Sequence, residues 1–144
     1  MRTGTIAALA VGIGLAGCAT HGNVGQWGAM DEGGARCGLP PVDGRVFVEI
    51  RYAGDGTPSA VPEECTVAPG TRITWRGPEG TSTPFVLRFA EASPAGRGEP
   101  RELASEKTDV RQEVMIIARN VKGRYKYGIE ANGIMVDPAI IIDQ

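Results

Sequence analysis

The chain has 144 residues, of which 42% are hydrophobic and 22% charged, and its formal net charge is −2. This size is that of one globular domain, and the sequence has no basic run that would neutralise the phosphates of a nucleic acid. With 21 glycines, 10 prolines and only 6% aromatic residues, the composition favours a turn-rich fold over a helical one.

Residues 1–17 are predicted to be a signal peptide. A basic start, Met1-Arg2, precedes a small apolar run that is shorter than the roughly 20 residues a membrane-spanning helix needs. The end of this run, Leu-Ala-Gly before Cys18, resembles the lipobox of bacterial lipoproteins. The resemblance implies cleavage before Cys18, acylation of its sulfur and new amine, and, with Ala19 following, an outer-membrane position facing the periplasm. The alternative is an ordinary signal peptide with a chance cysteine.

Residues 18–36 are predicted to be the lipidated cysteine and a flexible, glycine-rich tether. The segment has no hydrophobic periodicity and contains His21, the only histidine of the chain. Trp27 and Met30 stand alone in it. Two interpretations are open: they are stray apolar residues of a disordered linker, or they dock on the domain or the membrane surface.

Two cysteines remain after Cys18, namely Cys37 and Cys65. In an oxidising envelope compartment they form one natural pair. The disulfide would close a loop of roughly 29 residues and stabilise the domain by about 3.5 kcal/mol. A metal or redox pair is the alternative, but the spacing has no CxxC and no nearby histidine.

Alternating patterns predict several short strands from residue 45 onwards. Residues 45–53 place valine and isoleucine on one face. Residues 64–77 predict a short strand, a turn at Pro69-Gly70 and a second strand with Ile73 and Trp75 on one face, and residues 84–90 place Phe85, Leu87 and Phe89 on one face. Residues 92–108 lose the pattern and predict a surface connection, with one or two helical turns over 101–107.

The C-terminal third predicts three further strands. Residues 110–118 become continuously apolar, which indicates a strand inside a sheet, and residues 124–131 alternate again. Asn132-Gly133 predicts a hairpin with a type I′ turn. Pro138 marks a bend or edge in the final strand because it cannot donate to the ladder. About seven strands at this spacing predict an all-β sandwich over residues 37–144.

The order of these landmarks resembles the cupredoxins, small copper proteins with a Greek-key β-sandwich. The resemblance is carried by CTVAPGTRITWR, by Pro84-Phe85 with Phe89, and by YKYGIEANGIMVDPAIIID. It implies a cupredoxin-like fold, whose copper site would use two His, one Cys and usually a Met. Residues 80–84 contain no His, and the turn at 131–134 is too short for three ligands. Met135 lies nearby, but a single methionine without other ligands is more typical of a core residue than of a metal ligand. The sequence therefore predicts no metal and no cofactor.

An enzyme is not predicted. Ser82 and Ser105 lack a base partner and read as turn residues. Neighbouring carboxylates at Glu63 and Glu64 face opposite sides of a strand, and Asp137 precedes Pro138 as a turn feature. A calcium site from Asp31, Glu32 and Asp55 is a further alternative, but it lacks an EF-hand loop signature.

Binding is the function that remains. The candidate binding face consists of Arg72 and Arg76 on one strand and Arg124 and Lys126 on another. If the two strands are neighbours, this face carries four cations and suits an acidic protein or an anionic glycan. The alternative is an ordinary charged face in contact with solvent.

The sequence thus predicts a non-catalytic envelope lipoprotein, a binding or scaffolding module anchored in the membrane through lipid, with an envelope protein or glycan as partner and no nucleic acid. The alternatives are a metal-binding or electron-transfer cupredoxin relative and a cell-wall or glycan-acting enzyme.

Overall fold

The computed structural model describes residues 34–143, which form twelve short strands. Their bounds are β1 Ala35–Arg36, β2 Arg45–Tyr52, β3 Pro58–Val61, β4 Glu64–Val67, β5 Arg72–Arg76, β6 Val86–Phe89, β7 Glu102–Ala104, β8 Glu106–Lys107, β9 Gln112–Ile117, β10 Gly123–Ala131, β11 Ile134–Val136 and β12 Ala139–Ile142. No helix among the described residues is long and apolar enough to cross a membrane.

The strands form two six-stranded sheets that pack face to face. The first sheet has the order β1-β2-β5-β9-β8, with β3 also paired to β2, and the second has the order β4-β12-β10-β6-β7, with β11 also paired to β10. Three of the pairs are parallel, β1 with β2, β2 with β5 and β4 with β12, whereas the others are antiparallel. The predicted class, an all-β sandwich with one disulfide, is confirmed.

The alternating strands bury the faces that their sequences indicate. Ile73 and Trp75 of β5 are fully buried, as are Leu87 of β6 and Ile129 of β10. Because successive side chains of a strand point to opposite faces, burying one face of each sheet leaves the arginines and glutamates between these residues on the outside. The prediction that 110–118 lies inside a sheet is also confirmed, since β9 is paired on both sides, with β5 and with β8.

Three aromatic side chains from both sheets meet in the centre of the core. The ring of Trp75, from the first sheet, lies 5.6 Å from that of Tyr127 and 6.3 Å from that of Phe89, both from the second sheet. The indole N–H of Trp75 donates a buried 2.8 Å hydrogen bond to the hydroxyl oxygen of Tyr127. Burial raises the pKa of this hydroxyl, an effect that the Trp75 hydrogen bond opposes. The one polar contact of the aromatic centre therefore joins the two sheets.

Cys37 and Cys65 form the predicted disulfide, with their Cα atoms 5.5 Å apart. Cys37 follows β1 of the first sheet, Cys65 lies on β4 of the second, and both are buried in the core. Just before Cys37, Ala35 and Arg36 of β1 lie in register beside Val46 and Phe47 of β2.

The last hairpin has the predicted turn. Asn132 and Gly133 both adopt positive φ, 53° and 75°, as a type I′ turn requires. Ala131 is the register partner of Ile134. The strand pattern stops at Asp137-Pro138 and resumes as β12, which confirms the predicted break at the proline.

The predicted helical turns at 101–107 are wrong, and seven strands are too few. Residues 102–104 pair with β6 of the second sheet, and residues 106–107 pair with β9 of the first. The helical propensity of this charged segment is overridden because its backbone forms hydrogen bonds with the open edge strands of both sheets. The sequence analysis did not predict β3, because Pro58 begins this strand and Pro62 follows it, yet it pairs antiparallel with the end of β2.

Candidate functional site

The four cations of the predicted binding face do not lie together. Arg72 and Arg76 are on β5 of the first sheet, whereas Arg124 and Lys126 are on β10 of the second. The two strands are not neighbours, since among the strands that the structure describes β5 pairs with β2 and β9. Arg124 forms an ion pair with Glu64 of β4, which also places that carboxylate in a surface contact.

The outer face of the first sheet instead brings Arg72 and Arg76 together with residues of β2 and β9. Strand register arranges these side chains in three rows. The cationic row contains Arg45 and Arg72, the apolar strip contains Phe47, Thr74 and Met115, and the ion-pair row contains Glu49, Arg76 and Glu113. Of the residues in these rows, the sequence analysis singled out only Arg72 and Arg76 of β5 as a binding face. The parallel pairing of β2 with β5 leaves no local signal in the sequence.

A groove of about 570 Å³ lies over this outer face, and we call it the sheet-face groove. The strands β2, β5 and β9 form its floor, and the chain from Pro100 to Thr108 forms its far wall. Its lining includes Gly34, Pro100, Leu103, Glu102 and Glu106 in addition to members of the three rows. Met115 is 56% exposed on the floor. The groove therefore offers apolar surface, with cations at one end and carboxylates at the other.

Charged contacts connect the side chains of the ion-pair row at one end of the groove. The guanidinium of Arg76 lies 3.3 Å above the centroid of the Phe47 ring and 3.8 Å from Glu49. Glu49 accepts a 2.7 Å hydrogen bond from Arg51, which is the main reason that the pKa of its carboxyl is lowered; the charges of Arg36, Arg51 and Arg76 add to this, and burial opposes it. The Glu49 carboxylate therefore stabilises the folded state at pH values above the pKa that this carboxyl has in the unfolded chain. This stabilisation is lost as the pH falls through the lower pKa that the carboxyl has in the folded state.

The cationic row is different, because Arg45 and Arg72 contact no carboxylate within the described part of the chain. Their Cα atoms are direct register partners in the parallel pair of β2 and β5. Two like charges on adjacent strands repel each other, and both side chains are half-buried. An anionic group bound between them would relieve that repulsion.

Ser105 has a role that the sequence did not reveal. Its hydroxyl accepts a 2.9 Å hydrogen bond from the backbone N–H of Phe85 and lies 2.9 Å from the Gln112 side-chain oxygen, to which it donates. Ser105 sits between β7 and β8, so this contact fixes the wall of the groove to both sheets. The predicted turn role of Ser105 is thus incomplete, since its side chain also connects the sheets.

The candidate carboxylates occupy separate places. The Asp55 side chain accepts a 2.9 Å hydrogen bond from the backbone N–H of Thr57, and this bond lowers the pKa of the Asp55 carboxyl. Glu64 pairs with Arg124, and Asp137 lies in the break between β11 and β12. No group of three or more His, Cys, Asp or Glu within residues 34–143 is arranged to hold a metal ion.

The stretches in which the cupredoxin resemblance places copper ligands include the Asn132-Gly133 turn and Met135. The turn between β10 and β11 is the tight Asn132-Gly133 turn, and Asn132 donates a 3.1 Å hydrogen bond to the carbonyl of Gly56. Met135 is 51% exposed, and its sulfur covers Gly128 so closely that a Cβ there would lie 2.9 Å from it. This thioether is a surface cover for β10, which corrects the expectation of a core residue.

Several predicted features lie outside the described residues: the signal peptide, Cys18, His21, Trp27, Met30, Asp31 and Glu32.

Similarity to known proteins is found among solved structures, and it is weak. No family model and no curated protein matches the chain significantly. A solved structure of a mutant amicyanin with Cu(I) is similar over 71% of this chain and 85% of that chain, with 19% sequence identity and a TM-score of 0.40. A likeness at this level carries no argument about ligand or activity, and the sandwich architecture rests on the two sheets themselves.

Proposed function

We propose that the protein is a non-catalytic binding module of the bacterial cell envelope, with a cupredoxin-like sandwich on a lipid anchor at Cys18. Residues 18–36 serve as the tether, and the domain faces the periplasm from the outer membrane. The support for the anchor is the Leu-Ala-Gly-Cys motif after a short apolar run. The net charge is slightly negative and would not draw the domain to an anionic membrane, so attachment is assigned to acyl chains.

The sheet-face groove is the observation that carries the binding role. It combines the cationic row, Arg45 and Arg72, with the exposed apolar side chain of Met115. Apolar contact area beside unpaired charges is what a specific protein interface uses for affinity and orientation. The partner that fits is an envelope protein that presents a carboxylate next to an apolar side chain.

Replacement of Cys18 by Ser should abolish lipid attachment. Acylation needs the cysteine sulfur, so we expect no incorporation of labelled palmitate and recovery of the variant outside the detergent-extracted lipoprotein fraction. The control is the Cys37→Ser/Cys65→Ser variant, which retains Cys18 and should still be labelled. Equal labelling of wild type and the Cys18→Ser variant would refute the anchor.

Reversal of the cationic row should remove the partner. We expect in-cell crosslinking, followed by purification and mass spectrometry, to recover one acidic envelope protein with wild type and about tenfold less of it with Arg45→Glu/Arg72→Glu, since a loss of 1.4 kcal/mol is tenfold in affinity. The control is Arg97→Glu/Lys126→Glu, which makes the same charge change at exposed positions away from the groove. Equal recovery with both variants, or no partner with wild type, would contradict the proposal.

A further inference from the structure

Part of the outer edge of β9 has no partner strand. On that side β8 pairs with Gln112 and Glu113 at one end. At the other end the backbone N–H of Arg119 donates a 2.9 Å hydrogen bond to the carbonyl of Pro94. Between these contacts, no strand within residues 34–143 pairs with this side of β9. We call residues 114–118 the unpaired edge of β9.

The backbone groups that face the unpaired edge belong to Met115 and Ile117. The carbonyl of Gln112 accepts a 2.8 Å hydrogen bond from the N–H of Gly77, which follows β5. Because the backbone groups of successive residues alternate between the two sides of a strand, the even-numbered residues of β9 face β5 and the odd-numbered ones face away from it. The N–H and C=O groups of Met115 and Ile117 are therefore available to a further strand.

The unpaired edge lacks the protection that other edges of this fold carry. Natural proteins usually place charges or prolines on an edge strand, and here β7 begins with Glu102 and β3 begins with Pro58. The segment 114–117 has neither a charge nor a proline, and Met115 is 56% exposed. Such an edge is suited to a strand that a partner supplies.

A cavity of about 340 Å³ lies beside the unpaired edge. Its lining includes Ile116 and Ile117 of β9, together with Pro100 and Leu103 from the wall of the sheet-face groove. Met115, Pro100 and Leu103 line both the cavity and the groove, so the two spaces are continuous. One extended segment can therefore place a side chain in the cavity and the next one over the apolar strip.

The recess at this edge selects the kind of occupant. Its two ends, at Glu113 and Arg119, are about 20 Å apart along an extended strand. A second copy of the protein would present the same recess, with its own β8 and Pro94 projecting at the ends, so two such edges cannot approach to pairing distance. A single extended segment from a flexible part of another protein can enter.

The charges at the two ends of the edge select the sequence of that segment. Arg72 is the register partner of Ile117, and Arg119 is exposed and forms no ion pair within the described part of the chain. Glu106 and Glu113 lie together at the other end. A segment that continues the line of β8 runs antiparallel to β9, so its N-terminal end lies beside the cations and favours a carboxylate there.

We propose that the partner binds as an extended segment that adds an antiparallel strand to the unpaired edge of β9. It forms about four backbone hydrogen bonds with Met115 and Ile117. An apolar side chain enters the cavity beside Ile116, and a carboxylate near the N-terminal end of the segment meets Arg72 and Arg119.

NMR titration of the isotope-labelled full chain, in detergent micelles, tests this pairing. The probe is the synthetic peptide acetyl-Ser-Glu-Val-Leu-Val-Ser-amide, which places Glu opposite Ile117, the first Val opposite Ile116 and Leu opposite Met115. We expect saturable binding with a Kd below about 1 mM, with the largest shifts and slowed hydrogen exchange at the amides of Met115 and Ile117. No saturable binding, or largest shifts away from the unpaired edge, would overturn the proposal.

Backbone methylation of the peptide separates strand pairing from side-chain contact. Methyl groups on the N atoms of Glu and Leu block the two N–H groups that face β9, and should weaken binding by about tenfold or more because two hydrogen bonds of the ladder are lost. The matched control carries its two methyl groups on the valines, whose N–H groups face away from β9, and should bind nearly as well as the unmethylated peptide. Equal weakening by both pairs of methyl groups would contradict strand pairing.

Met115→Pro makes the corresponding change in the protein. It removes an N–H that faces the unpaired edge and no hydrogen bond to β5, a position at which an edge strand tolerates proline. Binding of the peptide should weaken by about tenfold, whereas Met115→Val keeps the N–H and should bind more tightly than Met115→Pro. Equal binding by the two variants would count against the pairing, and if Met115→Pro fails to fold, the methylated peptides decide.

This inference rests on the proposed function, because it states how the partner of the sheet-face groove binds, but the two can fail separately. In-cell crosslinking that recovers the partner with Met115→Pro at the wild-type level would overturn strand addition and leave the proposed function standing. The absence of any partner with wild type would overturn the proposed function, while the peptide titration would still decide whether the unpaired edge accepts a strand.

Discussion

Replacement of Trp75 by Ala should lower the free energy of unfolding by about 3–5 kcal/mol, the cost of deleting a large buried aromatic side chain. Trp75 is fully buried and contacts both Phe89 and Tyr127 of the opposite sheet. A domain of this size has roughly 5–15 kcal/mol in total, so the variant should lose at least about a fifth of its stability and at most all of it. Chemical denaturation followed by circular dichroism measures the change.

A double-mutant cycle isolates the hydrogen bond from the packing. Tyr127→Phe should cost about 1–3 kcal/mol, because it leaves the indole N–H of Trp75 buried without an acceptor. In a Trp75→Phe background the same change should cost much less. The matched control is Tyr52→Phe: the Tyr52 hydroxyl is buried with no hydrogen-bond partner among the described residues, so its removal should be neutral or stabilising. Equal costs in both backgrounds would contradict the coupling.

Removal of the disulfide should lower the free energy of unfolding by about 3.5 kcal/mol. Cys37 and Cys65 are 28 residues apart, and a cross-link over that distance restricts the unfolded chain by this amount. In thermal unfolding the Cys37→Ser/Cys65→Ser variant should melt roughly 10–20 °C below wild type, given about 3–6 °C for each kcal/mol in a domain of this length.

A reductant provides the control for this measurement. Dithiothreitol should lower the melting temperature of wild type towards that of the double serine variant and leave the variant unchanged. If wild type keeps its melting temperature after both thiols are shown to be free, the disulfide does not contribute the predicted stability.

The sequence predicts those parts of the fold whose signal is local. Alternation identifies the buried faces of β2, β5, β6 and β10, because a period of two follows directly from strand geometry. Asn132-Gly133 identifies its turn because few residues tolerate positive φ at two successive positions. The disulfide follows from counting cysteines once Cys18 is assigned to the anchor.

The features that depend on distant pairing are the ones that sequence reasoning missed. Residues 102–107 carry charges and helix-compatible side chains, and only the open edges of β6 and β9 make them strands. The four-cation face failed for the same reason, since nothing in the sequence states which sheet a strand joins. Arg45 was not singled out, although parallel pairing with β5 places it beside Arg72 at the groove.

The position of the disulfide has a mechanical consequence. Within the described residues 34–143, a force that pulls the chain from its N-terminal side peels away β1, Ala35–Arg36, before it reaches Cys37. From there the covalent bond to Cys65 transmits tension straight to β4 in the opposite sheet. Residues 38–64, which include β2 and β3, lie outside this load path, so a pull on the N-terminal side of the chain leaves the long strand beneath the groove under no direct tension.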